Sequence, residues 1–189
     1  MNSNAFTGGF AAPPQDGAFA FRAIMNAIAK PGLIFEIDGA QPPKELSRAA
    51  GCVILTLCDP DTPIALMSSC DTDDVRNWIT FHTGAPIVSP AKAHFAAGTW
   101  DEMHPLVQFR QGVPQYPDRS ATLIIECDDL QNVGATLRGP GIQDTRSLSL
   151  PETGAFQQNA AQFPLGVDFL FCAGTRIAGL PRTTQVSEG

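Results

Sequence analysis

"FPLGVDFLFCAGTRIAGLPRTT", residues 163–184, decides the fold. Two apolar runs, 167–173 and 176–180, flank Gly174-Thr175 at the spacing of a tight antiparallel hairpin. "DFLFCA" is apolar at odd and even positions alike, so both of its faces have to be covered. A strand of that kind belongs inside a layered α/β domain, not on an open one-sided sheet. The stretch then closes on Pro181, Arg182, Thr183 and Thr184. Chain ends usually fray. A packed hairpin and a polar cluster so near residue 189 need something that holds them.

Working outward, "DGAFAFRAIMNAIAKPG" sets Phe21, Ile24, Met25 and Ile28 at helical spacing, with Asp16 as the N-cap and Pro31-Gly32 as the stop. "LIFEID" (33–38) reads as a strand. "CVILTLCD" (52–59) is a continuous apolar run with β-branched members, and reads as a strand buried on both faces. The Asp59-Pro60-Asp61-Thr62-Pro63 turn ends it, and "IALMSS" (64–69) opens the next strand. "DTDDVRNWITFH" is a second helix: Asp71 caps it, Val75, Trp78, Ile79 and His82 share a face, and Gly84 stops it. Short strands are expected at "PIVS" and "HFAAG", and a weak helix at "WDEMHPLVQF", interrupted by Pro105. Then come strands at "ATLIIECDDL" and "ATLRGPGI" and a helix at "TGAFQQNAAQF". The interleaving predicts one α/β domain over 1–189, a mixed sheet flanked by helices in three layers. Residues 1–15 are expected as an arm and 185–189 as a frayed tail.

Composition limits the function classes. A net charge of −7 opposes nucleic-acid binding, which is mostly phosphate neutralisation, and opposes docking on an anionic membrane. No apolar run approaches a membrane span. "MNSNAFTGGFAAPPQDG" has neither the basic start nor the apolar stretch of a secretory signal, so a cytoplasmic protein is expected. The five cysteines include no C-x-x-C pair and read as free thiols.

Familiar catalytic signatures are absent. There is no phosphate-binding G-x-x-x-x-G-K-[ST] loop, no G-x-G-x-x-G and no G-x-S-x-G elbow. His82, His94 and His104 lie in separate elements without metal-ligand spacing, so no metal is expected. A Schiff-base lysine needs a dry pocket, yet Lys30, Lys44 and Lys92 all touch proline-marked turns, so no pyridoxal phosphate (PLP) is expected. Asp168 begins an apolar strand, either to cap backbone N–H groups of the "PLGVD" turn or to meet a ligand or partner. Arg182 offers a rigid fork for phosphate or carboxylate, with the Thr183 and Thr184 hydroxyls beside it. Pattern alone slightly favours a solvent-exposed strand end for Arg182; the expectation carried forward is that it pairs with a phosphate or a partner carboxylate.

These residues carry a resemblance. "FRAIMNAIAKPG", "VILTLCDPDTPIAL", "FHTGAPIVS", "ATLIIE", "GPGI" and "FPLGVDFLFCAGTRIAGLPRTTQV" together resemble the H subunit of the bacterial carbon–phosphorus lyase system, the PhnH family, over nearly the whole chain. One departure is Ser120 before "ATL", where that family usually has glycine. The resemblance implies a fold like a shortened PLP-dependent transferase large domain without PLP. It implies a part in making α-D-ribose 1-methylphosphonate 5-triphosphate from MgATP and methylphosphonate, with the G, I and J subunits as core partners and a homodimer in isolation. No motif supplies a nucleophile, so no catalytic residue is assigned. Asp168, Arg182, Thr183, Thr184 and His82 are the candidate ligand or partner contacts. An auxiliary, scaffolding subunit is favoured over one that itself binds nucleotide or phosphonate, and over an independent cofactor-free enzyme.

Overall fold

The computed structural model describes residues 6–189. Residues 1–5 of the expected arm lie outside the described residues. The first helix, α1 (Pro13–Ala29), starts three residues before Asp16, because Pro13 supplies a preset first-turn φ. Asp16 therefore is not the N-cap; its Oδ2 accepts the Ala12 N–H at 2.8 Å from inside the first turn. After β1 (Ile34–Glu36) comes the largest departure from the sequence reading. The run 52–59 is not a strand: it belongs to α2 (Arg48–Leu57), N-capped by Ser47, whose hydroxyl accepts the Ala50 N–H at 3.1 Å. Burial on all sides makes a helix as uniformly apolar as an inner strand, and periodicity cannot separate the two in so short a run. Ala49 to Ile54 are all buried, and α2 packs against α1, α3 and the sheet.

β2 (Ile64–Leu66) leads into α3 (Asp73–Thr83). Its cap is Thr72, whose Oγ1 accepts the Val75 N–H at 3.3 Å; Asp71 instead pairs with Arg76. Gly84 ends the helix at φ 70°, as its left-handed C-cap. β3 (Phe95–Thr99) follows, with "PIVS" reduced to one bridge, Ile64 to Ile87. The weak helix resolves into two 3-10 turns, Trp100–Met103 and Leu106–Gln108, separated by the cis His104–Pro105 bond. The remaining elements are β4 (Gln111–Val113), β5 (Tyr116–Ser120), β6 (Thr122–Glu126), β7 (Ala135–Arg138), β8 (Arg146–Leu148), α4 (Gly154–Ala160), β9 (Asp168–Ala173), β10 (Arg176–Leu180) and β11 (Gln185–Ser187).

A six-stranded sheet of mixed direction, β1-β10-β9-β6-β3-β2, organises the molecule. β9, β6, β3 and β2 run parallel; β10 joins β9 antiparallel at one edge, and β1 pairs antiparallel with β10 outside it. Strand alternation divides the core. Ile124, Leu170, Cys172 and Ile177 face α1 to α3. Leu123, Ile125, Phe169 and Phe171 face the other way, onto Phe156 of α4 and onto Leu137, Leu148 and Val186 of a second, three-stranded sheet, β11-β7-β8. Residues 185–187 are thus not frayed: β11 pairs with β7 and buries Val186. Gly179 allows α1 to lie close on the sheet, since a Cβ there would sit 2.6 Å from the backbone carbonyl of Ala27 in α1. Among the described residues, no helix is long and apolar enough to cross a membrane.

Candidate functional site

The hairpin register brings the polar cluster together. β10 runs back along β9 with Leu180 opposite Phe169, so the chain leaving β10 arrives beside Asp168 at the start of β9. On the other side of β9, Asp168 is level with Thr122 of β6, and so close to Ser120 at the end of β5. Residues 14 apart and 62 apart in sequence thereby become neighbours of Arg182.

The Arg182 fork is fully occupied from within. Its Nε and Nη2 donate to Asp168 Oδ1 and Oδ2 at 3.1 and 2.5 Å, a bidentate pair. Nη2 also donates to Ser120 Oγ. Nη1 donates to the carbonyls of Pro117 and Pro164 at 2.9 and 3.4 Å. These bonds take up all five guanidinium donors. Asp168 additionally accepts the Arg182 backbone N–H at 2.8 Å. It does cap a backbone donor, but at Arg182 and not in the "PLGVD" turn. Side-chain exposure is only 11% for Arg182 and 24% for Asp168, so the pair is shielded from bulk water. Arg182 was expected to pair with a phosphate or a partner carboxylate; the carboxylate it meets here is Asp168 of its own chain.

The "PLGVD" turn has its own clamp, which the sequence reading missed. Asn159 of α4 is buried; its amide nitrogen donates to the Val167 carbonyl and its oxygen accepts the Val167 N–H, both at 2.9 Å. Gly166, at φ 111°, carries no Cβ where one would lie 2.8 Å from Asn159 Oδ1. The Gly166 N–H donates to the Gln111 carbonyl at 3.0 Å, tying the same turn to β4. "FPLGVD", "LPRTT" and the β4–β5 hairpin thus form one weld.

Thr183 and Thr184 diverge. Thr184 is buried and its hydroxyl has no hydrogen-bond partner among the described residues. Thr183 lines a shallow cavity of about 270 Å³ with Pro140, Ala160, Phe163, Arg182 and Gln185. His82 is elsewhere. Near the C-terminal end of α3, its Nε2 lies 3.2 Å from the Thr7 carbonyl, and its ring packs between Trp78 and Phe81. Trp78 Nε1 donates to the same carbonyl at 3.1 Å, so His82 is part of a clasp on the N-terminal segment. None of its contacts reaches the other four candidates.

The lysines are exposed, Lys30 at the end of α1, Lys44 in a loop and Lys92 in a 3-10 turn. All five cysteines are free thiols. Burial pushes Cys52 and Cys70 up to about 11 and Cys58 and Cys127 up to about 12, so they stay protonated and poorly nucleophilic at neutral pH. Among the described residues, no cluster of His, Cys, Asp and Glu is placed to hold a metal ion. The sequence reading also passed over Arg110 and Arg119, which line a second groove of about 320 Å³ with Gln111, Gly112 and Val113. Nothing in their spacing marks them; the hairpin register alone makes them neighbours.

Comparison with known proteins gives a consistent result. A family model described as bacterial phosphonate metabolism protein (PhnH) matches residues 8–187. The chain is 36% identical over 197 aligned residues to the α-D-ribose 1-methylphosphonate 5-triphosphate synthase subunit PhnH of Rhizobium meliloti (strain 1021), covering 98% of each. It is 28% identical to the putative C-P lyase subunit protein HtxG of Stutzerimonas stutzeri, covering 95% of each.

Proposed function

Since the chain belongs to the family of bacterial phosphonate metabolism proteins (PhnH), we propose that it is a structural subunit of a phosphonate-degrading assembly. In this reading it serves the carbon–phosphorus lyase system at the step that forms α-D-ribose 1-methylphosphonate 5-triphosphate, the compound in the name of its Rhizobium meliloti relative. Its partners are the G, I and J subunits, it is a homodimer in isolation, and it works in the cytoplasm without PLP. The mixed sheet is compatible with a shortened PLP-transferase-like domain from which the cofactor lysine is missing.

The observation that carries an auxiliary role is Arg182. Two of the specific motifs, "FPLGVD" and "LPRTT", converge on a guanidinium whose five donors all go to this chain's own atoms. A motif used that way preserves a shape. Exposed large apolar side chains on α1, Phe19, Phe21 and Met25, add support for a partnered chain. Co-expression with the G, I and J subunits and affinity purification through one of them tests the reading. Recovery of this chain in a defined complex is expected; its consistent absence from the purified assembly overturns the proposal.

A second reading, a direct nucleotide or phosphonate contact, is favoured by one observation: Thr183 lines a cavity beside the weld. Titration of Thr183→Val with MgATP and methylphosphonate tests it, an affinity equal to wild type counting against it.

A further inference from the structure

We propose that the groove beside β4 and β5 binds a phosphate- or phosphonate-type oxyanion through Arg110 and Arg119. Both arginines line one concavity of about 320 Å³, large enough for a small polyanion. Among the described residues, neither is ion-paired to a carboxylate. Arg119 instead stacks over the Tyr116 ring at 4.0 Å, which orients its fork and leaves the N–H edge available. In a chain of net charge −7, two unneutralised cations on one rim are a local reversal of the molecule's field.

The ribbon that carries them is fixed before any ligand arrives. The Arg110 carbonyl accepts the Ala121 N–H at 2.8 Å and the Gln111 carbonyl accepts the Gly166 N–H at 3.0 Å. Gln111 Nε2 donates to the Leu106 and Phe109 carbonyls at 2.7 and 2.9 Å. Arg182 grips the Pro117 carbonyl and Ser120. Gly112, at φ 78°, lets β4 lie flat on β5, since a Cβ there would sit 2.7 Å from the Pro117 carbonyl. Two forks held on such a ribbon bind an anion without first losing the ribbon's freedom. Arg182 is thus a positioning residue for this groove and makes no contact with the ligand. A guanidinium fork fits either a phosphorus oxyanion or a carboxylate; preferring phosphorus rests on the subunit reading, and the test separates the two.

The experiment titrates the full-length protein by calorimetry with tripolyphosphate, methylphosphonate, inorganic phosphate and succinate. Saturable binding of the phosphorus anions is expected, weaker at higher salt and stronger than that of succinate. Arg110→Gln and Arg119→Gln should each lower the affinity on the order of 10- to 100-fold, the range for a charged hydrogen bond. No saturable binding at millimolar probe, or binding indifferent to both substitutions, overturns the proposal. Succinate binding as tightly as tripolyphosphate overturns the choice of phosphorus. If wild type binds no anion but Arg110→Gln no longer purifies with the other subunits, the groove serves an acidic protein surface; this proposal then fails and the subunit reading stands. Anion binding without any co-purification supports the groove and removes the subunit reading.

Discussion

Arg182 and the pair Arg110 and Arg119 sit on either side of the same two-stranded ribbon, and their surroundings are opposite. Arg182 is 11% exposed and donates to two carboxylate oxygens, one hydroxyl and two carbonyls of its own chain. Arg110 and Arg119 edge a groove and are ion-paired to no carboxylate among the described residues. The residue type is the same, and so is the chemistry of the fork. A census of donors separates the roles: a guanidinium with every N–H used internally holds the fold, and one that lines a concavity without an ion-pair partner is free to hold something else.

The comparison breaks most visibly at the weld. Arg182→Ala leaves the Asp168 carboxylate shielded and uncompensated, and frees the carbonyls of Pro117 and Pro164. Removing one partner of such a pair is expected to cost about 3 kcal/mol, which for a chain of this length lowers the thermal midpoint by roughly 6–12 °C. A midpoint within a degree of wild type would make Arg182 a surface residue and erase the contrast. Asn159→Ala comes next. It strips both hydrogen bonds from the Val167 backbone in a buried turn, and about 2 kcal/mol is expected from those orphaned groups, measured by urea unfolding.

The weld and its strands differed greatly in how readable they were. The hairpin 168–173/176–180 was legible because its alternation, turn and length agree, and only Val167 falls outside the strand. The body of α3 was legible for the same reason, although its cap moved from Asp71 to Thr72. "CVILTLCD" was not, since a helix enclosed by α1, α3 and the sheet leaves no polar face to set its period. β4, β5, β8 and β11 are too short, or too polar on their outer sides, to announce themselves. At the site, Arg182 and Asp168 could be suspected singly. Their pairing depends on strand register, and Ser120 enters only through the neighbouring strand β6.

Ser120 sharpens the contrast from within. Its hydroxyl accepts from Arg182 Nη2, which keeps Asp168 Oδ2 as a second acceptor. Ser120→Gly is expected to cost only about 1 kcal/mol, one neutral acceptor plus the glycine entropy. Arg110→Gln, on the other side of the ribbon, should change stability by less than about 0.5 kcal/mol, because no internal bond of its side chain is lost. If Arg110→Gln proved as destabilising as Arg182→Ala, both arginines would be structural.

The smallest expected effect lies on His94, which stands within the field of Arg110. Burial, first, and then the Arg110 charge hold His94 below the ordinary histidine value of 6.5, with Asp59 acting in the opposite direction. The folded protein therefore resists a proton that the unfolded chain accepts. Unfolding takes up that proton, so the contribution to stability is complete above 6.5 and is lost as pH falls from there through the lower folded value. Arg110→Gln removes the second cause and leaves the first. The His94 midpoint, followed by its ring-proton NMR shifts, should rise toward 6.5 without reaching it, and the acid-side loss of stability should become shallower. An oxyanion in the groove should move the same resonance in the same direction, because it neutralises the charge that the substitution deletes. A midpoint that responds to neither change would mean that the Arg110 charge does not reach His94, and that its field is cancelled before any ligand arrives.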